Sequence, residues 1–199
     1  MLELEFMRNA LIAGFLVALL APTVGLFMVL KRYSMLGDTL SHSTFAGVAI
    51  GMVLGHNPLI TAFIYTSAAA VIIELLRNYY KRYAEMVMSI VLTLSLGIAI
   101  ILVSSGKASA NINSYLFGSI LTVSKEDIRL IFIIAILCFI TIALLYHKLI
   151  YVTFDEEGAS TTGIRVKAIN YIFTLMVGAS IAVSIRVMGI LVISSIMVV

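Results

Sequence analysis

The chain has 199 residues, 62% of them hydrophobic and only 12% charged, with a formal net charge of +3. A soluble globular domain could not bury that much apolar surface, so the composition points to a multi-span membrane protein. The basic residues are scattered and no soluble face gathers them, so no nucleic-acid partner is implied; the positive balance is what cytoplasmic loops produce.

The spans follow in chain order. Ala10–Leu30 is uncharged and close to the roughly 20 residues that cross a hydrocarbon core. Gly37–Gly55 is apolar except for Asp38 and His42, and Pro58–Leu76 carries only Glu74 near its end. Met86–Gly106, Leu130–Tyr146 and Ala168–Ile185 are further candidates, and Val187–Val199 is a final apolar run. Backbone groups in lipid must be satisfied within each segment, so the fold class is all-α. The expectation is a polytopic bundle of about six to seven spans, forming one integral-membrane domain over residues 1–199, surrounded by lipid in the cell membrane. Glu3 and Glu5 precede the first span in place of a basic region, which argues against a cleavable signal peptide. The single cysteine, Cys138, lies within a span, so neither a disulfide framework nor a thiolate cluster is expected.

If Lys31 and Arg32 face the cytoplasm, eight of the thirteen Lys and Arg residues lie inside, and the N-terminus lies outside. Two connections exceed simple turns. The outer one, Ser105–Asp127, contains a short apolar piece, Tyr115–Leu121, placed along the interface. The inner one, Thr153–Asn170, reads as a compact helix: Asp155 as N-cap, with Glu156 and Glu157 in the first turn complementing the helix dipole. Gly158, Ala159, Ser160, Thr161 and Thr162 continue it, and Gly163 ends it in the left-handed conformation.

The second span holds the chemistry. As one helix from Tyr33 to Gly55 it is about 35 Å long, with His42 near mid-depth and Asp38 about one turn shallower. At spacing i, i+4 the two side chains share a face, flanked by Ser34, Ser41 and Phe45. Gly47, Gly51 and Gly55 form a small-xxx-small stripe that allows a neighbouring helix to approach closely. Three readings of Asp38 and His42 stay open: a buried ion pair or hydrogen bond, a proton relay, and a transient site for a divalent metal. Carboxylate oxygen plus imidazole nitrogen suits zinc or manganese, but two ligands do not complete a shell. His56 reads as a solvated turn residue and His147 as interfacial. Glu74 is expected at the cytoplasmic interface near Arg77, and Tyr79, Tyr80 and Tyr83 as an interfacial belt. No phosphate-cradling glycine loop, Gly-x-Ser-x-Gly or His-Glu-x-x-His is present, so the chain itself should not bind ATP.

Four stretches, LGDTLSHSTFAGVAIG (Leu36–Gly51), SYLFGSILTVSKED (Ser114–Asp127), FDEEGASTTGIRVKAINYI (Phe154–Ile172) and the terminal SIRVMGILVISSIMVV, together resemble the membrane permease subunits of metal ABC transporters. The resemblance implies a permease that imports zinc, manganese or iron. Its partners would be a separate ATPase, an extracellular metal-binding protein and a second copy of the permease. No cofactor would be bound permanently, the divalent metal being the substrate. It matches Asp38 and His42 to the family's metal-holding acid and histidine, and Asp155–Gly163 to the helix that docks on the ATPase. Members of the family continue with further spans, so a missing C-terminal part is expected, and with it no transport by this length of chain alone. The rival readings are a membrane-embedded metal enzyme, which needs a third ligand and a base, and a non-transporting scaffold.

Overall fold

The computed structural model describes residues 5–106, 112–119 and 123–198, and all their side chains except those of residues 5, 6, 34 and 196–198. Glu3, Lys107, Ile120, Leu121 and the side chain of Ser34, all used above, lie outside that description. Among the described residues the regular structure is all helical: α1 (Glu5–Leu30), α2 (Ser34–Leu54), α3 (Pro58–Tyr79), α4 (Ala84–Ser104), α5 (Ile112–Leu116), α6 (Lys125–Phe154), α7 (Glu156–Thr161), α8 (Val166–Met188) and α9 (Ile190–Val198). Five segments are long and apolar enough to cross a membrane: Met7–Leu30, Pro58–Tyr79, Lys81–Ser104, Lys125–Phe154 and Val166–Met188. At 21 residues α2 also has the length, but its polar residues keep it out of the five apolar segments.

Local sequence explains the boundaries. Between α2 and α3 the Asn57 side chain accepts a hydrogen bond from the Leu59 amide at 3.0 Å. Pro58, with no amide hydrogen to lose, opens α3. At the start of α6, Ser124 and Asp127 bond reciprocally through side chain and backbone in a capping box. From there α6 runs 30 residues, about 45 Å. It passes Tyr146, where the apolar run thins, carries an exposed His147, and leads directly into α7.

Helices α2 and α8 form the centre. In α8, 72% of the membrane-length window is buried, against 17% in α6 and 22% in the α4 segment, which therefore present most of their surface outward. α2 packs against α3, α4, α8 and α9, and α1 against α6, α8 and α9. The outer segment departs in part from expectation. Of the piece Tyr115–Leu121, Tyr115 is tucked in beside Ile112 of α5 while Phe117 stays exposed, and the Ser119 amide donates to the Arg186 carbonyl at 3.3 Å. Gly118 (φ 77°) and Gly189 (φ 78°) bring two backbones into contact here; a Cβ on Gly118 would lie 2.5 Å from the Met188 carbonyl carbon. Arg186 caps the arrangement, its guanidinium over the Tyr115 ring at 4.9 Å and its Nε 3.4 Å from Asp127.

Candidate metal pathway and cytoplasmic linkage

The central helix α2 satisfies its own hydroxyls and then uses them to hold its neighbours. Thr39, Ser41, Ser43 and Thr44 each donate to the carbonyl four residues earlier, at 2.7–2.8 Å. Ser43 also meets Ser95 of α4 at 3.0 Å, and Thr66 of α3 donates to Thr44 at 2.9 Å. Inside a bilayer such interhelical hydrogen bonds hold helices together where apolar burial provides no preference. The α3 side is closed by glycines. A Cβ on Gly47 would stand 2.7 Å from the Ala62 Cα, and one on Gly51 2.9 Å from the Pro58 Cα and closer still to the Thr61 hydroxyl. Gly55 does not belong to this stripe. Nothing lies within 4 Å of where its Cβ would be, and its φ of 71° ends the helix. The Gly55 amide donates to Met52 and the His56 amide to Gly51, closing a Schellman turn. Its role is to stop α2.

The opposite side of α2 carries Asp38 and His42. His42 Nε2 lies 3.4 Å from Asp38 Oδ1, with side-chain accessibilities of 25% and 38%, so the pair is not sealed in the core. Ser194 of α9 donates its hydroxyl proton to the same Asp38 oxygen at 2.6 Å. Two polar groups, one from α2 and one from α9, thus converge on one carboxylate oxygen of Asp38. Donors each about 2.1 Å from a tetrahedral metal are about 3.4 Å apart, so the Asp38–His42 separation already matches one edge of a coordination polyhedron. Among the described residues no third His, Cys, Asp or Glu joins them. Of the residues expected to flank the pair, Ser41 and Phe45 are buried, Ser41 being committed to the Gly37 carbonyl.

The end of the bundle where α2 begins holds a polar network that local sequence did not reveal. Glu74 is 1% exposed, a carboxylate buried between helices beside Arg77. It accepts from Arg77 at 2.9 Å and from the Thr174 hydroxyl of α8 at 3.1 Å, while Asn78 donates to it at 3.3 Å. Arg77 stacks 3.9 Å above the Tyr33 ring, in the turn that leads into α2. In the same turn Lys31 Nζ donates to Asn170 Oδ1 at 2.6 Å, and the Asn170 amide donates to Glu156 of α7 at 3.1 Å. Burial lowers the Lys31 pKa to about 8, against the opposing pull of Glu156 and Glu74. Burial likewise raises that of Tyr33, which Arg77 partly counters. Beside this network a cleft of ≈ 970 Å³ is lined by Arg77, Lys81, Glu157, Ser160 and Lys167, among others.

α7 itself is built from its own residues. Asp155 accepts from the Gly158 amide at 2.8 Å, Glu156 and Glu157 occupy the first turn, and Gly163 takes φ 82°. The Gly163 amide donates to Ser160 and the Ile164 amide to Ala159, a second Schellman turn with Ala159 fully buried under it. Ser160, Thr161 and Thr162 donate their hydroxyl protons to carbonyls three residues back, at 2.8–2.9 Å.

A bundle of membrane-length helices around one polar central helix places the chain in the class of multi-pass membrane proteins. More particularly, the chain belongs to the ABC 3 transport family, whose model matches residues 3–199. It is 47% identical over 197 residues to a probable metal transport system membrane protein of Treponema pallidum, covering 99% of this chain and 74% of that protein. It is 33% identical over 190 residues to the high-affinity zinc uptake system membrane protein ZnuB of Buchnera aphidicola, covering 94% of this chain and 72% of the relative. In structure it is similar to PsaBC from Streptococcus pneumoniae in complex with Fab, with a TM-score of 0.84 and 27% identity over 99% of this chain and 72% of that one.

Proposed function

We propose that this chain is the permease subunit of an ATP-driven importer of divalent transition metal ions. Asp38 and His42 hold the ion transiently on its way through the membrane. The observation that carries the reading is the pair itself: a carboxylate and an imidazole 3.4 Å apart on the central helix α2, both accessible, in a chain whose relatives are named for metal and zinc transport. A pair sealed in the core would be closed to a passing ion, whereas the side chains of this one are 25% and 38% accessible. A membrane metal enzyme would need a base near the pair, and the buried carboxylate Glu74 is committed to Arg77, Thr174 and Asn78.

A separate ATPase would dock on α7 and the adjacent cleft, with a second permease and an extracellular metal-binding protein completing the assembly. The link from Glu156 through Asn170 to Lys31 supports this division of labour. It joins the capped cytoplasmic helix to the turn that enters α2, so displacement of α7 would reach the metal-holding helix through hydrogen bonds. The test is metal accumulation in cells that express the protein in its full-length form with its ATPase and binding protein. Asp38→Ala and His42→Ala should abolish uptake of manganese and zinc while membrane insertion persists. Asp38→Asn should fail too, because it keeps the shape and loses the charge. Undiminished uptake in both alanine variants would overturn the proposal.

A further inference from the structure

The pair on α2 leaves the rest of a coordination shell to be found, and no further His, Cys, Asp or Glu lies beside it among the described residues. One polar group is already in contact. Ser194 reaches Asp38 Oδ1 at 2.6 Å from α9, a helix 156 residues further along the chain that packs directly on α2. Its neighbour Ser195 does not share this role, its hydroxyl being turned back to the Val192 carbonyl at 2.9 Å. Ser194 thus sends its hydroxyl to another helix where Ser195 keeps its own within α9.

We infer that Ser194 is a third, hard oxygen ligand of the transported ion and tilts the site from zinc toward manganese. The inference rests on the metal reading of Asp38 and His42. A neutral hydroxyl can give a lone pair to a cation while keeping its proton, so no acid or base is required. The Ser194 hydroxyl donates to Asp38 Oδ1 at 2.6 Å. Ligands side by side on an octahedral ion at about 2.1 Å are about 3.0 Å apart, so ion entry must stretch the hydrogen bond and replace it with coordination. The hydrogen bond holds the Asp38 carboxylate toward α9. Selectivity follows from ligand hardness. Zinc is content with few donors and favours nitrogen and sulfur, whereas manganese prefers more oxygen ligands. An added hydroxyl therefore helps manganese more.

The purified chain in detergent provides the test, with Mn(II) titrated by electron paramagnetic resonance and Zn(II) by competition with a chromophoric chelator. Ser194→Ala should weaken Mn(II) binding about tenfold or more and Zn(II) binding distinctly less. Ser194→Thr, which keeps the hydroxyl, should restore the wild-type ratio. Ser194→Cys should move the ratio toward zinc by at least about tenfold, since a thiolate is the softer ligand. A merely structural role would change both metals alike and leave the ratio fixed, which would overturn the inference, as would wild-type binding of both metals by Ser194→Ala. If Asp38→Ala abolishes binding in the same assay, such a failure falls on Ser194 alone. If Asp38→Ala binds normally, the metal reading falls and the Ser194 inference with it.

Discussion

Replacing Gly47 by alanine adds one methyl group where α2 and α3 touch. That methyl would meet the Ala62 Cα at 2.7 Å, the Thr61 carbonyl oxygen at 3.0 Å and the Tyr65 Cβ at 3.0 Å. Two of these three are backbone atoms of a packed helix, so no rotamer change relieves the clash and the helices must separate by several tenths of an ångström. Overpacking of this kind costs about 1–3 kcal/mol. Part is offset, because removing a helical glycine returns about 0.5–1 kcal/mol of backbone entropy. The expected net loss is about 1–2 kcal/mol. Gly97 of α4 provides the internal control, since nothing lies within 4 Å of its added Cβ. Gly97→Ala should keep the entropic gain and stabilise the chain by about 0.5–1 kcal/mol. The two substitutions are chemically identical and opposite in sign. Equilibrium unfolding in mixed micelles with increasing SDS measures both. A Gly47→Ala variant as stable as Gly97→Ala would refute the close approach of α2 and α3.

Further outcomes follow from the end of the bundle that holds Glu74, Lys31 and α7. Glu74→Ala leaves the Arg77 guanidinium and the Thr174 hydroxyl without their acceptor, and should lower stability by about 3 kcal/mol in the same unfolding assay; a loss below about 1 kcal/mol would contradict its burial. Gly163→Val forces a β-branched residue to φ 82° and should cost about 1–2 kcal/mol, read as loss of transport-coupled ATP hydrolysis with expression retained. Lys31, with its pKa near 8, should react with an acylating reagent on a pH profile centred near 8, well below an ordinary lysine. Because its folded pKa lies below the unfolded 10.5, the unfolded chain binds more protons between pH 8 and 10.5, and stability should rise with pH across that window. Glu156→Gln should shift the profile lower still, since Glu156 holds the charged form in place, and an unshifted profile would rule out that contact.

What the sequence revealed was mostly what depends on near neighbours in the chain. Span positions follow from runs of apolar residues, and the compact helix at Asp155–Gly163 follows from a cap and a glycine whose partners are three to five residues away. Asp38 and His42 share a face because a helix puts i and i+4 together. What stayed hidden came from partners that are distant in sequence. Gly55 continues a four-residue spacing, but the spacing alone does not separate a packing glycine from one that ends a helix at positive φ. Glu74 stands beside Arg77 as expected; only Thr174, 100 residues later, shows that it is buried. Tyr115 is apolar enough for an interface, but Arg186 and the Gly118–Gly189 contact draw it inward. Ser194 stands in an ordinary apolar run, and nothing local distinguishes it from Ser195.

The central claim, that Asp38 and His42 hold a metal ion together, is tested most directly by pulsed electron paramagnetic resonance of Mn(II) bound to the purified chain. One directly coordinated imidazole should give a nitrogen hyperfine coupling from His42. The coupling should vanish in His42→Ala, and Asp38→Ala should lose the bound manganese altogether. A bound Mn(II) signal without nitrogen coupling in the wild type, or one unchanged in His42→Ala, would contradict the account.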